Sequence, residues 1–188
     1  YIAMEYFPEG DLRSRIKRGL QPAEALHVLR QMAEALGAIH EVGVLHRDLK
    51  PGNVMLRRDG SIALIDFGLA KQLELDAEIT ATGEIFGTPY YMSPEQGHGR
   101  EVDVRSDLYS LGVIFWEMLT GKKPYLAPTP MAVIYKHSHA PIPELSEDLQ
   151  RTYGPIVAGL LAKEPRDRFQ TAGELLRALE RLPPVGGA

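Results

Sequence analysis

The sequence contains no cysteine, which excludes disulfide bonds and thiolate metal sites. It also lacks an excess of basic residues: 21 Lys and Arg stand against 25 Asp and Glu, so its net charge does not favour nucleic acid as a partner. No apolar run approaches the roughly 20 residues of a membrane-spanning helix, because the longest, around residues 113 to 116, is followed by Glu117. No charged and then apolar leader opens the chain. We therefore expect a cytoplasmic location, no nucleic acid and no membrane segment within these residues; any membrane tether would be encoded outside them.

Length and composition favour one domain. The 188 residues, 44% of them hydrophobic, can bury one substantial core, and no break in composition separates two unrelated halves. The last six residues consist of Pro, Val, Gly and Ala and are interpreted as a linker. The sequence therefore predicts one domain over residues 1 to 182 and a tail over residues 183 to 188.

One polar loop carries groups that suit catalysis. Residues 46 to 53 read HRDLKPGN and are followed by the apolar run 54 to 56, which predicts a loop fixed by a buried strand. Asp48 can accept a proton from an incoming hydroxyl, and Lys50 can neutralise a phosphate oxygen. Asn53 can offer a neutral oxygen to a hard divalent cation. The loop is therefore a candidate site for phosphoryl transfer.

A second carboxylate follows the next apolar run. Asp66 comes directly after residues 62 to 65, where a strand is predicted to end. Mg²⁺ keeps several of its waters and usually takes only one or two protein oxygens together with substrate phosphates. Asn53 and Asp66 are therefore the predicted metal ligands.

Four motifs occur in an order and spacing typical of one family. They are HRDLKPGN at 46 to 53, DFG at 66 to 68, GTPYYMSPE at 87 to 95 and DVRSDLYSLGVIFWEMLTGKKPY at 103 to 125. A single tripeptide would be weak evidence, whereas the four together are specific. The chain resembles the serine/threonine protein kinases of the bacterial, eukaryotic-like type. The resemblance implies an α+β, mainly α fold: the C-terminal helical lobe of a kinase, beginning at the hinge, with a small β-hairpin sheet that carries the catalytic loop.

The resemblance also implies ATP and Mg²⁺ as cofactors. The chain would contact the nucleotide at the hinge and on the hairpin. By resemblance, the backbones of Glu5 and Phe7 meet the adenine edge, Asp11 meets a ribose hydroxyl, Met55 forms the floor of the adenine pocket and Asp66 holds the metal. Without the downstream motifs, the first residues would be interpreted as an edge strand and a turn.

Three parts expected of the family do not occur in the 188 residues. They are the glycine-rich loop over the phosphates, the strand lysine that binds them and its helix glutamate. We therefore expect a partial kinase domain that needs a missing N-terminal lobe as its partner and is inactive alone. In addition, Gly52 stands where some members have an acidic residue that binds basic residues near the acceptor, so a strong preference for basic substrates is not expected.

A long polar segment from Gly68 to Glu95 matches the activation segment of the family. By resemblance, Arg47 would pair with a phosphorylated threonine, and Thr80 and Thr82 occupy the usual acceptor positions. The alternative is that both threonines are ordinary polar residues of a loop. Thr88, in the substrate groove, and Lys50 favour a small aliphatic hydroxyl as the acceptor.

Hydrophobic periodicity predicts the remaining elements. The expected elements are a helix at 22 to 42, strands at 54 to 57 and 62 to 65, a core helix at 107 to 120, and later helices at Pro130 and at 149 to 161. By resemblance, Asp107 would accept hydrogen bonds from the catalytic loop and Arg168 would pair with Glu95; the alternative for Asp107 is that it caps its own helix. His27 and His40 are predicted on the surface or in a groove.

The functional hypothesis is transfer of the γ-phosphoryl group of ATP to Ser and Thr hydroxyls of protein substrates, regulated by phosphorylation in signal transduction. One alternative is a pseudokinase that acts as a binding scaffold. The complete set of base and metal ligands argues against it. The other alternative is a small-molecule phosphotransferase of related fold, which the peptide-groove motif at residues 88 to 95 argues against.

Replacing Thr80 and Thr82 together with Ala in the full-length protein should lower activity and remove autophosphorylation of this segment. The reason is that a phosphate facing Arg47 can form about one to three charge-assisted hydrogen bonds that order the segment. Mass spectrometry and an activity assay measure both effects. An active wild-type enzyme without any phosphate between residues 68 and 88 would contradict this switch.

Overall fold

A computed structural model describes residues 6–67 and 89–183. Several predictions lie outside the described residues: most of the first strand, the segment 68–88 and most of the tail. The site residues concerned are Glu5, Thr80, Thr82 and Thr88.

The described chain is mainly helical, with one small sheet. Its elements are α1 (Leu12–Arg18), α2 (Pro22–Glu41), β1 (Val54–Leu56), β2 (Ile62–Leu64), α3 (Pro94–Gly97), α4 (Val104–Thr120), α5 (Pro130–His139), α6 (Glu147–Leu161) and α7 (Ala172–Glu180). The two strands form an antiparallel pair in which Met55 lies opposite Ala63. These elements confirm the predicted α+β, mainly α fold class. Within residues 6–67 and 89–183, no helix is both long and apolar enough to cross a bilayer.

The two ends of α4 compare differently with the prediction: its start differs and its end agrees. α4 begins at Val104, three residues early, because the carboxylate of Asp103 accepts a hydrogen bond from the Arg105 N–H at 2.8 Å. Asp107 therefore lies in the first turn and is not the N-cap. α4 ends as predicted at Gly121, whose φ of 69° suits glycine.

The core is built around α4. Residues Ser106 to Met118 of this helix are buried, and it packs between α2 and α6. Gly112 is needed for the close approach of α6, since a Cβ there would lie 2.6 Å from the Leu160 Cβ. The hairpin is attached to α2 through Gln31, whose side chain donates to the Gly60 carbonyl at 2.9 Å and accepts from the Ile62 N–H at 3.0 Å. Helices thus fix the position of the sheet.

A buried ion pair joins α3 to the helices below it. The Arg168 guanidinium donates to both carboxylate oxygens of Glu95, at 2.7 and 2.8 Å, as predicted. It also donates to three backbone carbonyls, and the Ser106 hydroxyl donates to Glu95 at 2.5 Å. Burial alone would raise the pKa of Glu95, but the hydrogen bonds from Arg168 and Ser106 together hold it below its ordinary value.

Arg168→Ala should lower the free energy of unfolding by about 3–5 kcal/mol, because it leaves the Glu95 carboxylate buried without its cation. The matched control is Arg151→Ala, which removes an exposed pair with Glu147 on α6 and should cost about 0.3–0.5 kcal/mol. Urea unfolding of both variants measures the difference. Equal losses would contradict the assigned role of the buried pair.

The loss in Arg168→Ala should depend on pH. The folded pKa of Glu95 lies below 4.5, so the pair stabilises the protein fully above that pH and loses its contribution as the pH falls through the folded pKa. The difference in unfolding free energy between wild type and variant should therefore shrink on acidification.

Candidate active site

The backbone of the HRD loop is held by one carboxylate. Asp107, 2% exposed, accepts hydrogen bonds from the His46 and Arg47 N–H groups at 2.8 and 2.9 Å. Its carboxylate also lies 2.9 Å from the His40 Nε2. The predicted role of Asp107 towards the loop is therefore confirmed. Of the two settings predicted for His40, the open surface does not apply: its side chain is only 8% exposed, because it packs towards Asp107.

Two site residues adopt left-handed backbone. Arg47 has φ 63° and Asp66 has φ 54°, which non-glycine residues rarely adopt and which cost free energy unless the surroundings impose them. At Arg47 the Asp107 carboxylate holds the N–H, and the Gln96 amide donates to the carbonyl at 3.0 Å. The sequence analysis predicted neither the left-handed backbone nor the contact of Gln96. The position of Gln96, three residues after the N-cap Ser93, could have indicated a capping role for this residue.

His46 connects the loop to the end of β2. Its side chain is fully buried, its Nε2 lies 3.1 Å from the Ile65 carbonyl oxygen, and its ring centroid lies 5.2 Å from that of Phe67. Burial lowers the pKa of His46, so the ring is neutral near pH 7. Sequence reasoning assigned no role to this histidine, although it precedes the predicted base by two residues.

The predicted catalytic side chains lie together. The Lys50 Nζ donates to the Asp48 Oδ2 at 2.7 Å, and the Asn53 Nδ2 donates to the Asp48 carbonyl at 2.9 Å and to its Oδ2 at 3.3 Å. The Asp48 side chain is 22% exposed and that of Lys50 is 42% exposed, whereas Asn53 is buried. A buried amide thus fixes the carboxylate of Asp48, the predicted base, which remains partly exposed to solvent.

The hairpin brings the two predicted metal ligands into neighbouring positions. The Ile65 N–H donates to the Asn53 carbonyl at 2.9 Å, which places Asp66 just beyond that pair, and Asp66 is exposed. The side-chain Nδ2 of Asn53 donates to Asp48, which leaves the side-chain Oδ1 of Asn53 and the Asp66 carboxylate as hard oxygen ligands. This donor set fits Mg²⁺.

The predicted nucleotide contacts also lie along the hairpin. The Leu56 N–H donates to the Gly10 carbonyl at 2.9 Å, and Asp11 pairs with Met55 in a β-bridge. The Asp11 carboxylate accepts from the Ser14 N–H at 2.8 Å and so caps α1. Phe7 lies in the same region, since the Arg57 guanidinium is 5.7 Å from the centre of its ring. Asp11 and Met55 are therefore adjacent, as a shared nucleotide site requires.

Known proteins resemble the chain over nearly its whole length. The family model of the protein kinase domain matches residues 1–178. Serine/threonine-protein kinase PknB of Mycobacterium leprae is 36% identical over 187 residues, and that of Mycobacterium tuberculosis is 37% identical over 188 residues. A probable serine/threonine-protein kinase PknB of Corynebacterium glutamicum is 37% identical over 192 residues. Each match covers 97% of this chain but only 30% of the relative's length. The chain belongs to the protein kinase domain family.

Proposed function

We propose that the protein transfers the γ-phosphoryl group of ATP to Ser and Thr hydroxyls of protein substrates. The observation that carries the proposal is the cluster of Asp48, Lys50 and Asn53 on a loop whose backbone is fixed by Asp107. The Asp48 carboxylate, held by the Asn53 amide and the Lys50 ammonium, suits a reaction in which positioning and charge neutralisation dominate. The names of the relatives support the same reaction and the same acceptor class.

In the proposed reaction, the acceptor oxygen forms a bond to the γ-phosphorus while the bond to the β-phosphate oxygen breaks. Asp48 orients the hydroxyl and takes its proton, so its carboxylate becomes neutral as ADP leaves. Lys50 donates to an oxygen of the transferring group and offsets its negative charge. The 42% exposure of Lys50 lets its ammonium move from Asp48 towards the phosphoryl group.

Asn53 and Asp66 would hold Mg²⁺, which supplies positive charge beside the phosphate oxygens. Asp66 directly follows Ile65, whose N–H donates to the Asn53 carbonyl, so the backbones of the two residues lie next to each other. Asp11 and Met55 would bind the ribose and the adenine, with Glu5 and Phe7 at the adenine edge. The glycine-rich loop and its lysine do not occur in the 188 residues, so the proposal assigns cover of the phosphates to an N-terminal lobe outside them.

Regulation by phosphorylation belongs to the proposal as well. Arg47 precedes the base directly, and its backbone is held on both sides by Asp107 and Gln96. A phosphate on Thr80 or Thr82 that paired with Arg47 would therefore act on a rigid neighbour of Asp48.

Asp48→Asn in the full-length protein should lower kcat by about 10²-fold or more, because the amide keeps the shape of the side chain but cannot take the proton. Nucleotide binding should stay unchanged. The matched control is Asp59→Asn in the hairpin turn, where the carboxylate accepts hydrogen bonds from the Ser61 N–H and hydroxyl. Activity of Asp48→Asn within about threefold of wild type would contradict the role of Asp48. Nucleotide binding without any transfer by the wild type would favour a pseudokinase.

Asp66→Asn should weaken binding of Mg²⁺-nucleotide about tenfold more than binding of metal-free nucleotide, since it removes a charge that faces the ion. Asn is chosen because it tolerates the φ of 54° at this position better than Ala. Calorimetric titration with and without Mg²⁺ measures both affinities. Equal weakening of the two would show that Asp66 does not bind the metal.

A further inference from the structure

An exposed arginine lies beside the HRDLKPGN loop, next to Gly52, the position at which some family members have an acidic residue. Arg13, in the first turn of α1, lies against Gly52, and a Cβ at Gly52 would overlap its guanidinium. The Arg13 side chain is nevertheless 63% exposed. Because Gly52 precedes Asn53 directly, this positive charge stands beside the loop that would receive the acceptor hydroxyl.

The helix that supplies Arg13 is strongly basic. α1 has four Arg and Lys among its seven residues and no acidic residue. Arg15 is bound by Glu24 through two hydrogen bonds. Arg13 and Lys17 are both exposed and lie four residues apart, so they share one face of the helix.

Two carboxylates, those of Asp11 and Glu117, are already paired with cations of the chain. Asp11 lies 3.2 Å from the Arg13 guanidinium. The Glu117 carboxylate accepts from the Tyr91 hydroxyl at 2.6 Å and from the Lys123 ammonium at 3.2 Å, and Glu117 is buried. Neither carboxylate is therefore available to a basic residue of a substrate without the loss of an internal contact. Arg13, in contrast, has five N–H donors and a side chain that is 63% exposed, so it can pair with a second anion while it contacts Asp11.

Arg13 and Lys123 both lie near Tyr91, whose hydroxyl binds the buried Glu117. Burial and then the bond to Glu117 raise the pKa of Tyr91, while the charge of Arg13 acts on the same phenol in the opposite direction. Arg13 is therefore within electrostatic reach of Tyr91. The Lys123 ammonium lies 5.1 Å from the centre of the Tyr90 ring and 5.8 Å from that of Tyr91.

We propose that the exposed basic face of α1, formed by Arg13 and Lys17, selects acceptor segments with an anionic residue within a few residues of the Ser or Thr. The inference rests on the proposed function and adds a substrate preference to it. An arginine fork pairs well with a carboxylate or a phosphate, while a basic substrate residue would meet like charge. Arg13 carries most of the preference because it is the cation that packs against the catalytic loop.

The test uses the full-length protein and peptides with a single Ser. Each peptide carries one Glu, Gln, Lys or phosphoserine at one position within three residues of that Ser. At one or more positions, kcat/KM should be about fivefold higher for Glu than for Lys, the size expected for one exposed ion pair. The phosphoserine arm separates carboxylate from phosphate as the preferred anion. The KM for ATP is measured separately, since Arg13 also contacts Asp11.

Two Arg13 variants and one control sharpen the test. Arg13→Ala should remove most of the preference, and Arg13→Glu should invert it. Arg18→Ala should keep it, because Arg18 is exposed five residues away on α1, where it donates to the Ser14 carbonyl. Thermal unfolding checks that all three variants fold. A wild type that prefers Lys, or an unchanged preference in both Arg13 variants, overturns the inference.

Peptide binding keeps the two proposals separable. If no peptide is phosphorylated, the proposed function fails. In that case, fluorescence anisotropy of labelled Glu and Lys peptides on the Asp48→Asn protein still decides the charge preference. Tighter binding of the Glu peptide supports the role of the basic face of α1, and equal or weaker binding overturns it.

Discussion

The Asp107 carboxylate is the constraint on which the candidate site depends. It is nearly fully buried, and a buried carboxylate is stable only when its hydrogen bonds are made. The His46 and Arg47 N–H groups make two of them, so the burial of Asp107 in α4 and the conformation of the loop depend on each other. Arg47 can then keep an unfavourable φ of 63°, because the surroundings impose it. The turn at Arg47 carries the chain directly into Asp48. The central helix of the core therefore sets the position of Asp48, the proposed base, although it contributes no group to the proposed chemistry.

The loop is also fixed from the side of the hairpin. The buried, neutral His46 packs towards the carbonyl of Ile65, and the carbonyl of Asn53 accepts from the N–H of the same residue. These two contacts tie both ends of the loop to the residue before Asp66. A shift of the hairpin would therefore move Asp48 and Asp66 together, which keeps the separation between the proposed base and the proposed metal ligand constant. In this way a two-stranded sheet, marginal by itself, becomes part of a rigid site by attachment to helices.

Periodicity and motif spacing predicted the elements well, because apolar residues at helical or alternating spacing must face one core. They predicted α2 to within one residue and the hairpin with its strands one residue too long. The resemblance supplied the long-range pairs of Asp107 with the loop and of Glu95 with Arg168. Four features escaped prediction: the left-handed backbone at Arg47 and Asp66, the start of α4, the contact of His40 with Asp107 and the contact of Gln96 with the loop. The contacts of His40, Arg47 and Gln96 join residues distant in sequence, which local patterns do not encode. The start of α4, in contrast, depends on the local cap by Asp103.

Local charge differs from net charge in this protein. The chain as a whole is acidic, with a formal charge of −4, yet the face beside Gly52 exposes Arg13 and Lys17. At physiological ionic strength, electrostatic effects between exposed charges fade over about 8 Å. A basic surface of this size therefore acts only on the residues that flank an acceptor hydroxyl and not on the net charge of a whole substrate. Net acidity and a preference for anionic flanking residues are compatible for that reason, because the first acts at long range, where salt screens it, and the second acts in contact.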